Sequence, residues 1–143
     1  VSGLDQLGLA ESHLDALEFL IPKVSEHHRW VTTVAFYCAL KAVDQVLEDS
    51  NPGWSPASHS ERHRALNRQT QFKKVQRHYN VLYRQSKDAR YEIHGTNVPK
   101  SETLRQIVRK ELIPTLNACS THLKPAAVAR IESMVARIDA ATS

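Results

Sequence analysis

A chain of 143 residues, of which 41% are hydrophobic and 24% charged, can bury one core without a disulfide framework or a structural metal. Its formal charge of +4 is unevenly distributed. Residues 1–58 hold three Lys/Arg against eight Asp/Glu, residues 59–90 nine against two, and residues 91–143 seven against five. No apolar run approaches the roughly 20 residues that a bilayer span requires, and no basic stretch followed by an apolar one marks a secretory signal near Val1. A soluble, cytoplasmic, all-α single domain over residues 1–143 is therefore expected, a bundle of about five helices.

The first helix is predicted over Ala10–Leu20, with Leu14, Leu17 and Ile21 recurring at spacings of three and four. Pro22 should end or restart the helix there. A second helix is expected from Ser25 to Asp49. Its stripe of Val31, Ala35, Cys38, Ala42 and Val46, widened by Phe36, Leu40, Val43 and Leu47, suits the central helix of a bundle. The run Asn51-Pro52-Gly53-Trp54-Ser55-Pro56 breaks the pattern. Ser58 and Glu61 then read as a capping box for a short third helix reaching about Arg68. A long basic helix follows from Thr70 to His94, with Phe72, Val75, Tyr79, Leu82, Ser86, Ala89 and Ile93 on one face and Gly95 as its stop. Ser101 should cap a fifth helix whose inward face is Leu104, Ile107, Val108, Leu112 and Leu116, kinked by Pro114. Pro125 fits the first turn of a last helix carrying Val128, Ile131, Val135 and Ile138 inward.

Cys38 and Cys119 lie in apolar helical sequence without a CxxC pattern. Buried free thiols in a reducing compartment are expected over a disulfide between them. His59 and His63 are spaced i, i+4, as two metal ligands can be, but no HExxH or Cys/His cluster accompanies them. No metal and no cofactor are expected. A serine-histidine-aspartate pattern, a phosphate-binding glycine loop and a dinucleotide fingerprint are all missing from the sequence.

The chemistry is concentrated in the basic segment. Arg62, Arg64, Arg68, Lys73, Lys74, Arg77, Arg84, Lys87 and Arg90 are accompanied by Tyr79, Tyr83 and Tyr91, a composition suited to phosphate contacts with base stacking. The bland alternative is a solvated charged face, or a patch that complements the acidic first helix. Arg62, Arg68, Lys73, Arg77, Arg84 and Lys87 are the candidate nucleic-acid-binding residues. At about 100° per residue, Arg90 and His94 fall on one flank of the fourth helix, one turn apart. An arginine could stabilise charge developing on a phosphate, and a histidine could move a proton to or from a ribose hydroxyl, with no metal required. Arg90 and His94 are thus the candidate catalytic pair; alternatively, they are ordinary cations near a helix C-terminus.

The run Trp30-Val31-Thr32-Thr33-Val34-Ala35-Phe36-Tyr37-Cys38-Ala39-Leu40-Lys41-Ala42-Val43-Asp44 resembles the second helix of bacterial HEPN-type domains, where a W..T..FY.AL..VD pattern is common. Pro56-Ala57-Ser58-His59-Ser60-Glu61-Arg62 is similar to a P-x-SH-x-x-R segment, and Tyr79, Leu82, Ser86, Ala89, Arg90 and Tyr91 match a third piece. Together the pieces span residues 30–91. The resemblance implies a helical bundle, homodimerisation, and association with nucleic acid or with a nucleotidyltransferase-type protein partner. Active relatives carry an arginine and a histidine separated by four to six residues, forming a metal-independent ribonuclease site at the dimer cleft. Here Arg90 and His94 are separated by three residues and Arg84 and His94 by nine. Lys41 stands where many relatives have histidine.

The expected function is an HEPN-like module that presents its basic face to RNA or another polyanion, as a homodimer. An endoribonuclease of the toxin–antitoxin type using Arg90 and His94 is the alternative. A structural protein-interaction domain is a second alternative.

Overall fold

Helix α2 (Val24–Ser50) forms the axis of the bundle, and its sequence explains why. Val31, Ala35, Phe36, Cys38, Ala39, Leu40, Ala42, Val43, Val46 and Leu47 are all buried, covering most of the helix circumference. A helix apolar on so many sides needs neighbours on all of them. In a computed structural model that describes residues 5–52, 54, 58–91 and 103–143, α1 (Gln6–Leu20) and α4 (Lys73–Tyr91) pack most extensively against α2. The short α3 (His59–Asn67) lies against α4 and α2. A π-helical segment (Leu104–Leu112) runs directly into α5 (Ile113–Ser120), and α6 (Pro125–Thr142) completes the bundle. The chain is all-α, with no strand among the described residues. None of the described helices is long and apolar enough to cross a membrane.

The local boundaries follow from particular residues. Helix α1 starts before Ala10, because Leu7 and Ala10 continue the buried series of Leu14 and Leu17. Pro22 sits in a 3₁₀ turn, Ile21–Lys23, that joins α1 to α2. Inside α2, His27 leaves helical geometry (φ −129°, ψ 36°), so the first turn is offset from the rest. Ser58 caps α3, its hydroxyl accepting from the Glu61 amide at 3.2 Å. The expected return bond from the Glu61 carboxylate is absent among the described residues, so the box is half formed. A 3₁₀ turn, Thr70–Phe72, leads into α4, which is described only to Tyr91. His94, Gly95 and Ser101 lie outside the described residues.

Pro114 does not kink a continuous α-helix as expected. It occupies the first turn of α5, where its missing N–H costs least, and the backbone before it winds in wider π turns. The Glu111 carbonyl is satisfied by the Thr115 hydroxyl at 2.6 Å. On α6 the buried face centres on Ile131, Met134 and Ile138, and Val135 is only half-buried. Cys38 and Cys119 are fully buried free thiols. Burial pushes the Cys38 thiol up to about 12 and raises that of Cys119 as well.

Candidate nucleic-acid interface

The distribution of ion pairs separates the cations of this chain into two classes. Arg130 and Arg137 on α6 face the acidic α1. Arg130 pairs with Asp5 at 3.0 Å and with Glu11, and Arg137 pairs with Asp15 at 2.5 Å and with Glu18. Arg109 reaches Asp139 at 3.5 Å. The acidic charge of the first helix is thus met by the last helix. It is not met by the basic segment.

The basic segment keeps its charge exposed. Arg64 and Arg68, at the end of α3, are exposed, as are Lys73, Lys74, Arg77, Arg84 and Lys87 on α4. None of these seven side chains enters an ion pair among the described residues. At about 100° per residue, Lys73, Arg77, Arg84 and Lys87 share an arc of about 80° on the side of α4 opposite Leu82. That side faces water because Phe72, Val75, Tyr79, Leu82 and Ser86 take the other into the core. Beside this stripe, His63, Asn80, Tyr83 and Arg84 line a shallow depression between α3 and α4.

Two expected members of this surface are elsewhere. Arg62 is buried. Its Nε donates to Asp44 Oδ1 at 2.6 Å and its Nη2 to Asp44 Oδ2 at 3.2 Å. Asp44 is itself fully buried and also has Lys41 Nζ at 3.8 Å. A charge buried there without a partner would be very unfavourable, so the Asp44 carboxylate claims Arg62 and removes it from the nucleic-acid-binding set. Tyr79 is also fully buried, its ring 5.6 Å from that of Phe36. It is a core residue and cannot stack on a base.

Arg90 is half-buried at the inner edge of α4. Its Nη1 donates to the Tyr37 hydroxyl at 3.1 Å, and its Nε to the Ser86 carbonyl at 3.3 Å. Its guanidinium lies 6.0 Å from the Phe36 ring centre and 5.9 Å from that of Tyr37. The expected partner His94 lies outside the described residues. His59, which the sequence does not mark as a catalytic or nucleic-acid-binding residue, shares this neighbourhood. Its ring is 5.9 Å from Phe36 and 5.1 Å from Tyr83, and Arg62 Nη1 approaches its Nδ1 at 3.3 Å. His63 packs edge-on against Tyr83 at 4.8 Å. His13 of α1 packs on Tyr37 at 5.8 Å. Burial holds all three histidines below the usual histidine range. The charges of Arg62, Arg90 and His63 reinforce this at His59, that of Arg62 at His63 and that of Lys41 at His13. Among the described residues, no group of three His, Cys, Asp or Glu side chains is placed to hold a metal ion.

The Asp44–Arg62 pair could have been sought in the sequence. Asp44 lies four residues after Leu40 and three before Leu47, so it falls on the apolar stripe, where a carboxylate demands a buried cation. The meeting of Tyr37, His59 and Arg90 had no such signal, since no periodicity links residues on three different helices. Compared with protein-family models, curated proteins and solved structures, the chain matches none of them.

Proposed function

We propose that this chain is an HEPN-like helical module that presents the outer face of α3 and α4 to single-stranded RNA or a similar polyanion. The observation that carries the reading is the division of charge. The carboxylates of the acidic helix α1 and its N-cap are paired with Arg130 and Arg137, whereas Arg64, Arg68, Lys73, Lys74, Arg77, Arg84 and Lys87 are exposed and outside every ion pair among the described residues. A row of cations with no internal partner is suited to displacing the counterions of a phosphate backbone. Tyr83, half-buried beside Arg84 in the depression between α3 and α4, adds an aromatic edge for a base.

The HEPN-like part of the reading rests on the sequence resemblance alone. The three sequence segments that carry the resemblance meet through Asp44–Arg62, Phe36–Tyr79 and Tyr37–Arg90. A homodimer is part of the proposal, and the exposed Trp30 and Phe19, 62% and 68% accessible, supply apolar surface for it. A nucleotidyltransferase-type protein is the protein partner that the resemblance suggests. A reducing, cytoplasmic setting suits the two buried free thiols.

The test is fluorescence anisotropy with a labelled single-stranded RNA at several salt concentrations, with chelator present. Contact with four or five phosphates gives a log–log slope of roughly −3, at about −0.7 per contact. A flat salt response would favour the structural interaction domain instead. Cleavage of the RNA in chelator would favour the endoribonuclease reading on Arg90 and His94. Sedimentation at high micromolar concentration checks the dimer, and a monomer there removes that part of the proposal.

A further inference from the structure

We infer that the depression between α3 and α4 is a pocket for one unpaired nucleobase, which stacks against Tyr83 and His63 while its phosphate lies on Arg84. The pocket belongs to the nucleic-acid surface proposed above and rests on that reading. It narrows the ligand from polyanions in general to single strands with accessible bases.

The depression measures about 340 Å³ and is lined by His63 of α3 and by Asn80, Tyr83 and Arg84 of α4. That is the small end of ligand-pocket volumes, about 300–1,000 Å³, and it suits a single ring system. Local sequence explains the lining. Tyr79 and Leu82 are buried, which sets Asn80 and Tyr83, one residue further on in each case, on the flank of α4. His63 precedes the buried Leu66 by one turn of α3 and shares its side of the helix. The His63 and Tyr83 rings meet edge-on, with centres 4.8 Å apart and planes at 72°. Both rings are half-buried and keep part of their surface accessible. Arg84 is exposed and enters no ion pair among the described residues. Arg77 and Lys87, also exposed, stand one turn before Asn80 and one turn after Tyr83. Aromatic surface and cations are thus brought together in one hollow, the combination that holds single-stranded nucleic acid.

The polar atoms of the wall point to a base as well as a phosphate. His63 Nε2 and Asn80 Oδ1 are buried and have no hydrogen-bond partner among the described residues. Burial and the charge of Arg62 disfavour a proton on His63, and the Asn80 side chain favours it. The carboxamide therefore lies towards the ring, although no hydrogen bond closes between these two atoms. Buried polar atoms without partners are uncommon and cost free energy. A phosphodiester has acceptors only and leaves the Asn80 oxygen unmet. A base edge carries N–H donors beside ring-nitrogen or carbonyl acceptors, which matches the mixed donors and acceptors of a carboxamide and an imidazole. Because Asn80 Oδ1 is covered in the free chain, the half-buried Asn80 side chain turns outward as the base enters. Bases that are already paired and stacked in a duplex cannot enter the hollow, so the pocket selects single strands.

The test compares two labelled strands by fluorescence anisotropy on the full chain: a single-stranded RNA, and an abasic strand of the same length and charge. The intact strand should bind about tenfold tighter, the scale of one base–aromatic contact. The salt slopes should be equal, because both strands make the same phosphate contacts. Tyr83→Leu keeps apolar bulk and removes the aromatic face, and it should bring the intact strand down to the affinity of the abasic one. NMR on the wild-type chain provides a readout even if Tyr83→Leu does not fold. There the Tyr83 and His63 ring signals should shift with the intact strand and far less with the abasic one. Equal, salt-dependent binding of the two strands would overturn the pocket and leave the cation stripe standing. A preference for the intact strand without shifts at Tyr83 and His63, or a folded Tyr83→Leu protein that keeps the preference, would also overturn it. Absence of salt-dependent binding by either strand would remove the pocket together with the RNA reading.

Discussion

Arg62 reaches across from α3 to grip Asp44 with two hydrogen bonds, at 2.6 and 3.2 Å, in the interior between α2 and α3. Burial pushes the Asp44 carboxyl up, and the hydrogen bond and charge of Arg62, followed by the charge of Lys41, oppose this. The pair joins the central helix to a helix of only nine residues, so it has a large share in placing α3 and the histidines that α3 carries.

Breaking that pair should therefore be expensive. Asp44→Ala leaves a buried guanidinium without its counter-charge, and Arg62→Ala leaves a buried carboxylate. Each should cost about 3–5 kcal/mol, the usual scale for an orphaned buried charge. Chemical denaturation of the two single variants and the double variant measures this. The double variant should be less destabilised than the sum of the singles, because it leaves no unpaired ion. Single variants within about 1 kcal/mol of wild type would show that the pair does not clamp α3 to α2.

The start of α3 depends on one hydroxyl. Ser58 Oγ is the acceptor for the Glu61 amide, so Ser58→Ala should cost about 1 kcal/mol. Glu61→Ala should cost less, since the Glu61 side chain makes no return bond to the cap among the described residues. Thermal denaturation of both variants checks this. Equal losses would mean that the full capping box forms in solution.

Stability should fall on mild acidification. His13, His59, His63 and His122 all sit below the ordinary histidine value of 6.5, with burial the leading cause at each. The folded chain therefore takes up these protons less readily than the unfolded chain. Their contribution is complete above pH about 6.5 and is lost as the pH drops through the depressed folded values. The melting temperature should be lower at pH about 5.5 than at pH about 7.5, and His59→Gln should reduce the difference. A melting temperature that does not change between the two would contradict the half-buried, desolvated setting of these rings.

The helical fold was legible because its signals are periodic. The three–four spacing of apolar residues in α2, α4 and α6 marked the core faces, and Ser58 marked the start of α3. The site was less legible because its contacts are tertiary. Arg62 reads as one more cation in a basic run, and only its position opposite Asp44 distinguishes it from Arg64 and Arg68. Tyr79 reads equally well as a core residue or a stacking residue, and packing against Phe36 decides for the core. The acidic first helix could have been matched to either basic region. Its pairing with Arg130 and Arg137 of α6 is a consequence of chain topology.

The central claim is that the outer cations of α4 are available to phosphate, and one comparison tests it most directly. Arg77 and Arg84 are exposed and lie two turns apart along one face. Replacing both with glutamine should leave folding stability within about 1 kcal/mol, as surface changes usually do. The same change should weaken binding to single-stranded RNA and flatten the log–log salt slope by about one unit or more. A double variant that binds as tightly as wild type, with the same slope, would contradict the account and leave the stripe as a solvated face.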